Sequence, residues 1–161
     1  ISERNTTVFL AEGVNVDQVV EISFDLGIPF SVNHLNPLTQ DSPLNVASMF
    51  WVWRTGHKFM RVEMSGEHET WWFHLGSTGC SSASPVRVPQ KACLNPNRFN
   101  YQLSTTISQP IEITFSLEKL LHGLHVNEQN SCQSEPDNVK CNQLFSNVQQ
   151  AFSVVHQTSR H

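Results

Sequence analysis

The sequence has no apolar run close to the roughly 20 residues that a membrane-spanning helix needs. It also has no apolar segment near its start that could act as a signal peptide, and it does not begin with methionine. We therefore expect a processed chain whose leader has been removed. Charged residues make up only 15% of the 161 residues, and the net charge is −4. Such a mildly acidic chain is poorly suited to binding nucleic-acid phosphates, so no nucleic-acid partner is expected.

Several catalytic signatures are absent as well. The chain has no Gly-x-Ser-x-Gly elbow and no glycine-rich phosphate-binding loop. A blue-copper site needs a free cysteine close to histidine and methionine, and no cysteine here has that setting. The paired carboxylates of Glu67 and Glu69 lie in a predicted turn, where we expect them to be solvated. The sequence therefore favours a binding protein, not an enzyme.

The four cysteines fall into two local pairs. Cys80 and Cys93 enclose 12 residues, and Cys132 and Cys141 enclose eight. Zinc sites usually use cysteines about two to four residues apart, so zinc fits poorly. Two short-range disulfides fit better, each stabilising the fold by about 2–3 kcal/mol, although four cysteines allow three pairings. Bonded cysteines indicate an oxidising compartment, so we expect a periplasmic, surface or secreted protein.

Short alternating segments with turn residues between them predict a mostly β protein. Residues 19–26 predict one strand, and residues 57–64 and 70–75 predict a hairpin across a turn. Further strands are expected at residues 50–54, 100–108 and 111–115. Two short helices are expected at residues 116–123 and 142–155, with Ser116 as the cap and Gly123 as the stop of the first. The expected fold is one antiparallel β-sandwich domain with long loops, one or two short helices and two disulfides.

The densest aromatic feature lies in the predicted strand at residues 70–75. Alternate side chains of a strand share a face, so Trp72 and His74 should point one way and Trp71, Phe73 and Leu75 the other. One face would bury apolar bulk, while the other presents an imidazole beside an indole. A neutral imidazole is a good ligand for copper, zinc or iron, although a lone histidine is more often structural. Met60 and Met64 share a face with Val62 and are expected in the core.

A second imidazole could come from the segment after the last predicted strand. His122 and His125 are three residues apart, but Gly123 between them should end the helix. His125 lies beyond that stop and is freer to turn towards the sheet, whereas His122 should stay on the helix surface. The alternative is two ordinary histidines near a helix C-terminus. His57 and His34 are the next candidates.

The hairpin and the cysteines together resemble a known family. The segment SMFWVWRTGHKFMRVE (residues 48–63), the segment WFHLGSTGC (residues 72–80) and the segment CLNPN (residues 93–97) carry the likeness, with the closing Cys132 and Cys141 pair. They resemble the four-cysteine copper-associated proteins of methane-oxidising bacteria, a group that includes MopE, the copper-repressible CorA and MbnP. The resemblance covers roughly residues 19–150.

The resemblance implies properties that the residue patterns alone do not. Members are exported or surface-associated β-sandwich proteins, and some bind one Cu(I) through two histidines. In some, a tryptophan two residues before the first histidine is oxidised to kynurenine, and a di-haem protein of the peroxidase type is linked to that oxidation. Carried over, the tryptophan is Trp72, the first histidine is His74, and the second is His125 or His122. A structural calcium is also implied, although no acidic loop here selects it.

The sequence thus predicts a copper(I)-binding protein for copper acquisition or storage, in the periplasm, at the outer-membrane surface or secreted. Two other classes stay open. A β-sandwich that binds carbohydrate or protein would use its aromatic residues as an exposed platform, and a copper enzyme would need an open, redox-active copper. Metal analysis of the purified protein separates a copper-binding protein from the carbohydrate- or protein-binding alternative. Turnover assays with reductant and oxygen separate it from a copper enzyme.

Overall fold

The computed structural model describes residues 7–9, 11–105 and 111–155. The strands of this part of the chain are β1 (Glu21–Leu26), β2 (Lys58–Ser65), β3 (Thr70–Gly76), β4 (Phe99–Ser104), β5 (Ile113–Phe115) and β6 (Phe152–Val154). Its α-helices are α1 (Phe30–Asn33), α2 (Leu117–Leu120) and α3 (Val139–Val148). Short 3₁₀ turns lie at Val16–Gln18, Pro37–Thr39, Ala47–Met49 and Glu128–Asn130.

All strand pairs of the described residues are antiparallel. Strand β1 pairs with β4, β2 with β3, and β5 with β6, giving three two-stranded sheets. The predicted mostly-β, antiparallel fold with short helices and two disulfides is therefore confirmed. Within the same residues, no helix has both the length and the apolar character needed to cross a bilayer.

The β2–β3 hairpin supplies one wall of the core. Trp71, Phe73 and Leu75 on β3 are at most 1% exposed, as the alternation predicts. They pack with helix and cysteine residues into one cluster: Leu120, Cys132, Cys141, Leu144 and Val148. Met60 and Met64 pack against that cluster from β2, which confirms their predicted place in the core. Burying each large apolar side chain contributes about 1.5–3 kcal/mol, so the inner face of the hairpin anchors the fold.

Strand β3 has a second neighbour besides β2. The amide of Cys132 donates to the carbonyl of Trp72, and the amide of His74 donates to the carbonyl of Cys132, so the two segments run parallel. The hydroxyl of Ser134 donates to the His74 carbonyl and accepts from the Gly76 amide. Because Cys132 is bonded to Cys141 on α3, this disulfide ties the helix to the strand.

The structure corrects some local expectations and confirms others. Residues 50–54 are not a strand: Thr55 and Gly56 both donate to the carbonyl of Val52, closing a turn that the positive φ of Gly56 permits. The helix predicted at residues 142–155 ends earlier, because residues 152–154 pair with β5 as strand β6. Helix α2 is capped by Ser116 as predicted, but it ends at Leu120 with Leu121 as its C-cap, before the predicted stop at Gly123. The last part of the strand predicted at residues 100–108 lies outside the described residues from position 106.

Candidate metal centre

The outer face of the hairpin carries polar and aromatic side chains. On β3, Trp72 and His74 are each half-buried and point away from the core, as the alternation predicts. The register places Glu63 opposite Trp72 and Arg61 opposite His74 on β2. Opposite residues of an antiparallel pair share a face, so two charged side chains lie beside the indole and the imidazole.

The Glu63 carboxylate connects two other side chains of this face through hydrogen bonds. Its Oε1 accepts a hydrogen bond from His74 Nε2 at 2.7 Å, and Arg61 donates to both carboxylate oxygens at 2.7 and 2.6 Å. The hydrogen bond from Arg61, followed by that from His74, lowers the pKa of Glu63 to about 2. The carboxylate is therefore ionised at neutral pH and fixed in orientation from two sides.

His74 is held in one tautomer by this arrangement. A carboxylate only accepts, so Nε2 carries the proton and the lone pair is on Nδ1. Burial lowers the pKa of His74 below its usual 6.5, more than the hydrogen bond to Glu63 raises it, so the ring is neutral at pH 7. Nδ1 is buried and has no hydrogen-bond partner among the described residues. Because buried polar atoms are nearly always satisfied, this atom is the best candidate for a metal ligand on the face.

An indole lies beside the imidazole of His74. The ring centroids of Trp51 and His74 are 6.3 Å apart, and Lys58 Nζ lies 6.0 Å from the Trp51 centroid. Trp51 also lies directly over Gly76, where an added Cβ would stand 2.5 Å from its ring. The missing side chain at Gly76 thus allows the indole to lie beside the His74 imidazole.

The segment that carries His125 runs towards β3. The carbonyl of His125 accepts from the Asn130 side chain, and the Asn130 carbonyl accepts from Trp71 Nε1 at 3.0 Å. The 3₁₀ turn Glu128–Asn130 contacts β3, and the chain continues into its parallel neighbour. The backbone of His125 is therefore linked through Asn130 to Trp71, a core residue of the strand that carries His74, while the His125 side chain is exposed.

His122 lies in a different environment. Together with Ser116, Lys119 and Asn147 it lines a cavity of about 530 Å³ between α2 and α3. Its carbonyl accepts from the Asn147 side chain, which fixes the backbone there. No residue of β2 or β3 lines this cavity.

The remaining histidine candidates are buried and hydrogen-bonded to carbonyl oxygens. His57 is 1% exposed, with Nδ1 2.7 Å from the Asn33 carbonyl and Nε2 3.0 Å from the Leu44 carbonyl. His34 is 5% exposed, with Nδ1 3.1 Å from the Trp53 carbonyl. Both rings therefore have structural partners in this fold.

No complete metal site is assembled around His74 in the described part of the chain. There, His74 belongs to no group of three His, Cys, Asp or Glu ligand atoms within 4.8 Å of one another. The groups of that kind contain a disulfide each: His34 with Cys80 and Cys93, and Glu135 with Cys132 and Cys141. The structure thus places Trp72 and His74 on the same face of β3. The second copper ligand and the calcium remain predictions.

Glu63, Arg61 and Trp51 are site residues that sequence reasoning missed. The charged pair could have been found from the hairpin register, because Glu63 and Arg61 alternate with Met60, Val62 and Met64. Trp51 had no such signal, since it approaches Gly76 from a turn and not from a strand.

The fold and this face define a small, disulfide-linked antiparallel β protein whose exposed hairpin face holds a histidine through a carboxylate. A family model described as MbnP matches residues 1–134, and the chain belongs to the MbnP family. The solved structure of MbnP from Methylosinus trichosporium is similar, with a TM-score of 0.67 and 25% sequence identity. The match covers 78% of this chain and 51% of that one, so the chain spans about half its length. No curated protein has a sequence that matches this chain.

Proposed function

We propose that this protein binds one Cu(I) per chain, with His74 Nδ1 as a ligand, and serves copper acquisition or storage without catalytic turnover. The observation that carries the proposal is the unpartnered, buried Nδ1 of a neutral imidazole whose Nε2 donates to Glu63. Metal-ligating histidines characteristically donate their other ring N–H to a carboxylate or carbonyl, which fixes the tautomer and makes the ring more basic. Glu63 supplies that partner before any metal is bound.

Copper suits the donors and their surroundings. Imidazole is a good ligand for copper, and Cu(I) accepts low coordination numbers. Trp51 and Trp72 give the face an aromatic lining that favours the lower charge of Cu(I) over Cu(II). A site that strongly favours one oxidation state suits holding or transferring the ion better than cycling it.

His125 is the proposed second ligand. Its backbone is linked to β3 by hydrogen bonds through Asn130 and Trp71, and its side chain is exposed. His122 is the weaker candidate because it lines the cavity between α2 and α3.

Trp72 is proposed to be the tryptophan that is oxidised to kynurenine, by a di-haem protein of the peroxidase type. The family resemblance described above supplies this proposal, together with the likeness to MopE and CorA. The position of Trp72 supports this proposal, because Trp72 is half-buried on the same strand face as His74 and two residues away from it.

Export is part of the proposal. All four cysteines are in disulfides, and such bonds persist in oxidising compartments, so we place the protein in the periplasm, at the outer-membrane surface or outside the cell. We also propose a structural calcium, which the family resemblance implies.

Titration with Cu(I) against a chromophoric chelator tests the proposal. The wild-type protein should bind one equivalent, whereas His74→Ala should lose stoichiometric binding and keep its far-ultraviolet circular dichroism. Loss of the imidazole leaves Glu63 with both hydrogen bonds from Arg61, so the hairpin should survive. His68→Ala, in the exposed turn of the same hairpin, is the matched control. Full copper retention by folded His74→Ala would reject the site, and binding of carbohydrate without metal would favour the alternative module.

A further inference from the structure

A second group of soft donor atoms lies away from the hairpin face. His34 Nε2 is 3.8 Å from Cys93 Sγ, and one ligand atom each from His34, Cys80 and Cys93 lies within 4.8 Å of the other two. In the structure the two sulfurs form a disulfide. The imidazole and both sulfurs are close enough for all three to bind one ion once the S–S bond is broken and the sulfurs move apart.

His34 is oriented for this role by its other ring nitrogen. The Trp53 carbonyl only accepts, so Nδ1 carries the proton and the lone pair of Nε2 faces the sulfurs, where Asn33 Nδ2 is a weak donor at 3.4 Å. The ring is 5% exposed, and burial lowers the pKa of His34 below 6.5, so the neutral form is favoured. This is the same arrangement, with a carbonyl in place of a carboxylate, that orients metal-bound histidines.

The loop around the cysteines has its own hydrogen bonds. Thr78 and Asn95 exchange two backbone hydrogen bonds of 2.9 and 3.0 Å, and the Leu94 amide donates to the Gly79 carbonyl at 3.2 Å. These bonds adjoin Cys80 and Cys93 directly along the chain. The two sulfurs would therefore stay close to one another after their covalent bond is broken.

The surroundings of this disulfide differ from those of the other one. Cys132 and Cys141 are at most 1% exposed and belong to the main apolar cluster, whereas Cys80 is half-buried and neither it nor Cys93 is in that cluster. The third donor near the core pair is the exposed carboxylate of Glu135, a hard ligand that suits Cu(I) poorly. Cys80 is thus the most exposed of the four cysteines, and its disulfide lies outside the core cluster.

We propose that reduction of the Cys80–Cys93 disulfide creates a second Cu(I) site, formed by two thiolates and His34 Nε2. A dithiol reductant supplies two electrons and two protons and becomes a disulfide, while Cys80 and Cys93 become thiols. Cu(I) then binds the two sulfurs and the imidazole, and two thiol protons are released to solvent. The copper undergoes no redox change in this step. The site adds redox-controlled copper binding to the capacity of the hairpin face.

The first test is selective reduction. The protein is treated anaerobically with increasing amounts of a phosphine reductant, which is then removed, and the free thiols are mapped by mass spectrometry. Cys80 and Cys93 should become free while Cys132 and Cys141 stay bonded and the circular dichroism stays native. If no condition frees Cys80 and Cys93 in folded protein, the proposal is overturned.

The second test is titration of the selectively reduced protein with Cu(I) against a chromophoric chelator. It should bind one equivalent more than the oxidised protein, with new thiolate-to-copper absorption in the ultraviolet. Cys80→Ser/Cys93→Ser, treated identically, should gain none. His34→Asn keeps a donor for the Trp53 carbonyl and removes Nε2, so affinity for the added copper should fall at least about tenfold.

Two outcomes of the titration contradict the proposal: no added equivalent in folded, reduced protein, or unchanged affinity in His34→Asn. Both concern only the difference between reduced and oxidised protein. The copper bound by oxidised protein reports on His74 separately, so either site can fail without the other.

Discussion

His74 Nε2 and Glu63 Oε1 are 2.7 Å apart although the two residues are not direct partners in the hairpin register. Glu63 is paired with Trp72, so its carboxylate reaches diagonally along the face, which neighbouring antiparallel strands allow. Because of this contact, Nδ1 is the only ring nitrogen of His74 that is available to a metal. The role of the Glu63 carboxylate can therefore be tested by substitution.

Glu63→Gln should weaken Cu(I) binding by about 10- to 100-fold, the usual effect of removing the partner of a metal-bound histidine. The amide can still accept from His74 Nε2, but it lacks the charge that makes the ring a better donor and loses one of the hydrogen bonds from Arg61. Chelator competition measures the change. Glu67→Gln in the exposed turn serves as the control. Equal affinities of the two variants would show that Glu63 does not act on the site.

The pH dependence of copper binding should follow His74. Burial places the folded-state pKa below the usual 6.5, so protons begin to compete for Nδ1 only at pH values below that point. Copper affinity should therefore be flat through neutral pH and fall on acidification, which titrations at a series of pH values will show. A decline already complete above pH 6.5 would contradict the assignment.

The free energy of unfolding should fall on acidification in two pH ranges, one set by His74 and one by Glu63. A lowered histidine pKa favours the protonated unfolded state, so His74 reduces stability as the pH falls below 6.5. Glu63 has a pKa of about 2 against a usual 4.5, so its stabilising contribution is complete above 4.5 and is lost between there and about pH 2. Denaturant unfolding at several pH values separates the two. In Glu63→Gln the loss of stability between pH 4.5 and about 2 should be smaller than in the wild-type protein. An unchanged dependence of stability on pH would rule out the contribution of Glu63.

Single replacement should separate the two downstream histidines. His125→Ala should weaken Cu(I) binding by several kcal/mol if its side chain completes the site, while His122→Ala should change it little because His122 lines the cavity between α2 and α3. Titrations of both variants provide the comparison. Wild-type binding by both would move the second ligand elsewhere, to His57 or His34, each of which would first have to leave a carbonyl partner.

Neighbouring aromatic residues should have opposite roles. Phe73→Ala removes a fully buried ring and should lower the free energy of unfolding by about 3–5 kcal/mol. Trp72→Ala on the other face should cost much less stability, and should perturb copper binding instead. Chemical unfolding and copper titration of both variants test this division. Comparable destabilisation by the two would mean that the faces are not distinct.

The local part of the fold could be predicted from the sequence. Alternation over residues 57–64 and 70–75 is a short-range signal, so it located the hairpin, its buried face and the pairing of Trp72 with His74 on the other side. The two local disulfides follow from spacing in the same way. The start of helix α2 was predictable because its cap residue, Ser116, directly precedes it, whereas its end at Leu120 comes before the predicted stop at Gly123.

The remaining features depend on contacts between distant residues. Strand β6 exists because β5 offers it a partner, and nothing in residues 152–154 alone excludes a continuation of the helix. The diagonal contact between Glu63 and His74 needs a known register, and the position of His125 needs the path from Asn130 to Trp71. Tertiary contacts of this kind leave no periodic pattern to detect.

The parallel segment beside β3 has a consequence for how the molecule assembles. The amide of Trp72 donates to Ser131, 59 residues further along the chain, and the carbonyls and amides of the following residues continue that pairing. Closing so long a loop is slow, because its entropy is lost before the contacts form. The strand that bears His74 therefore spends the early part of folding with one exposed edge, which is open to pairing with other molecules. Protection of this edge from aggregation thus awaits a late event, the arrival of residues 131–134.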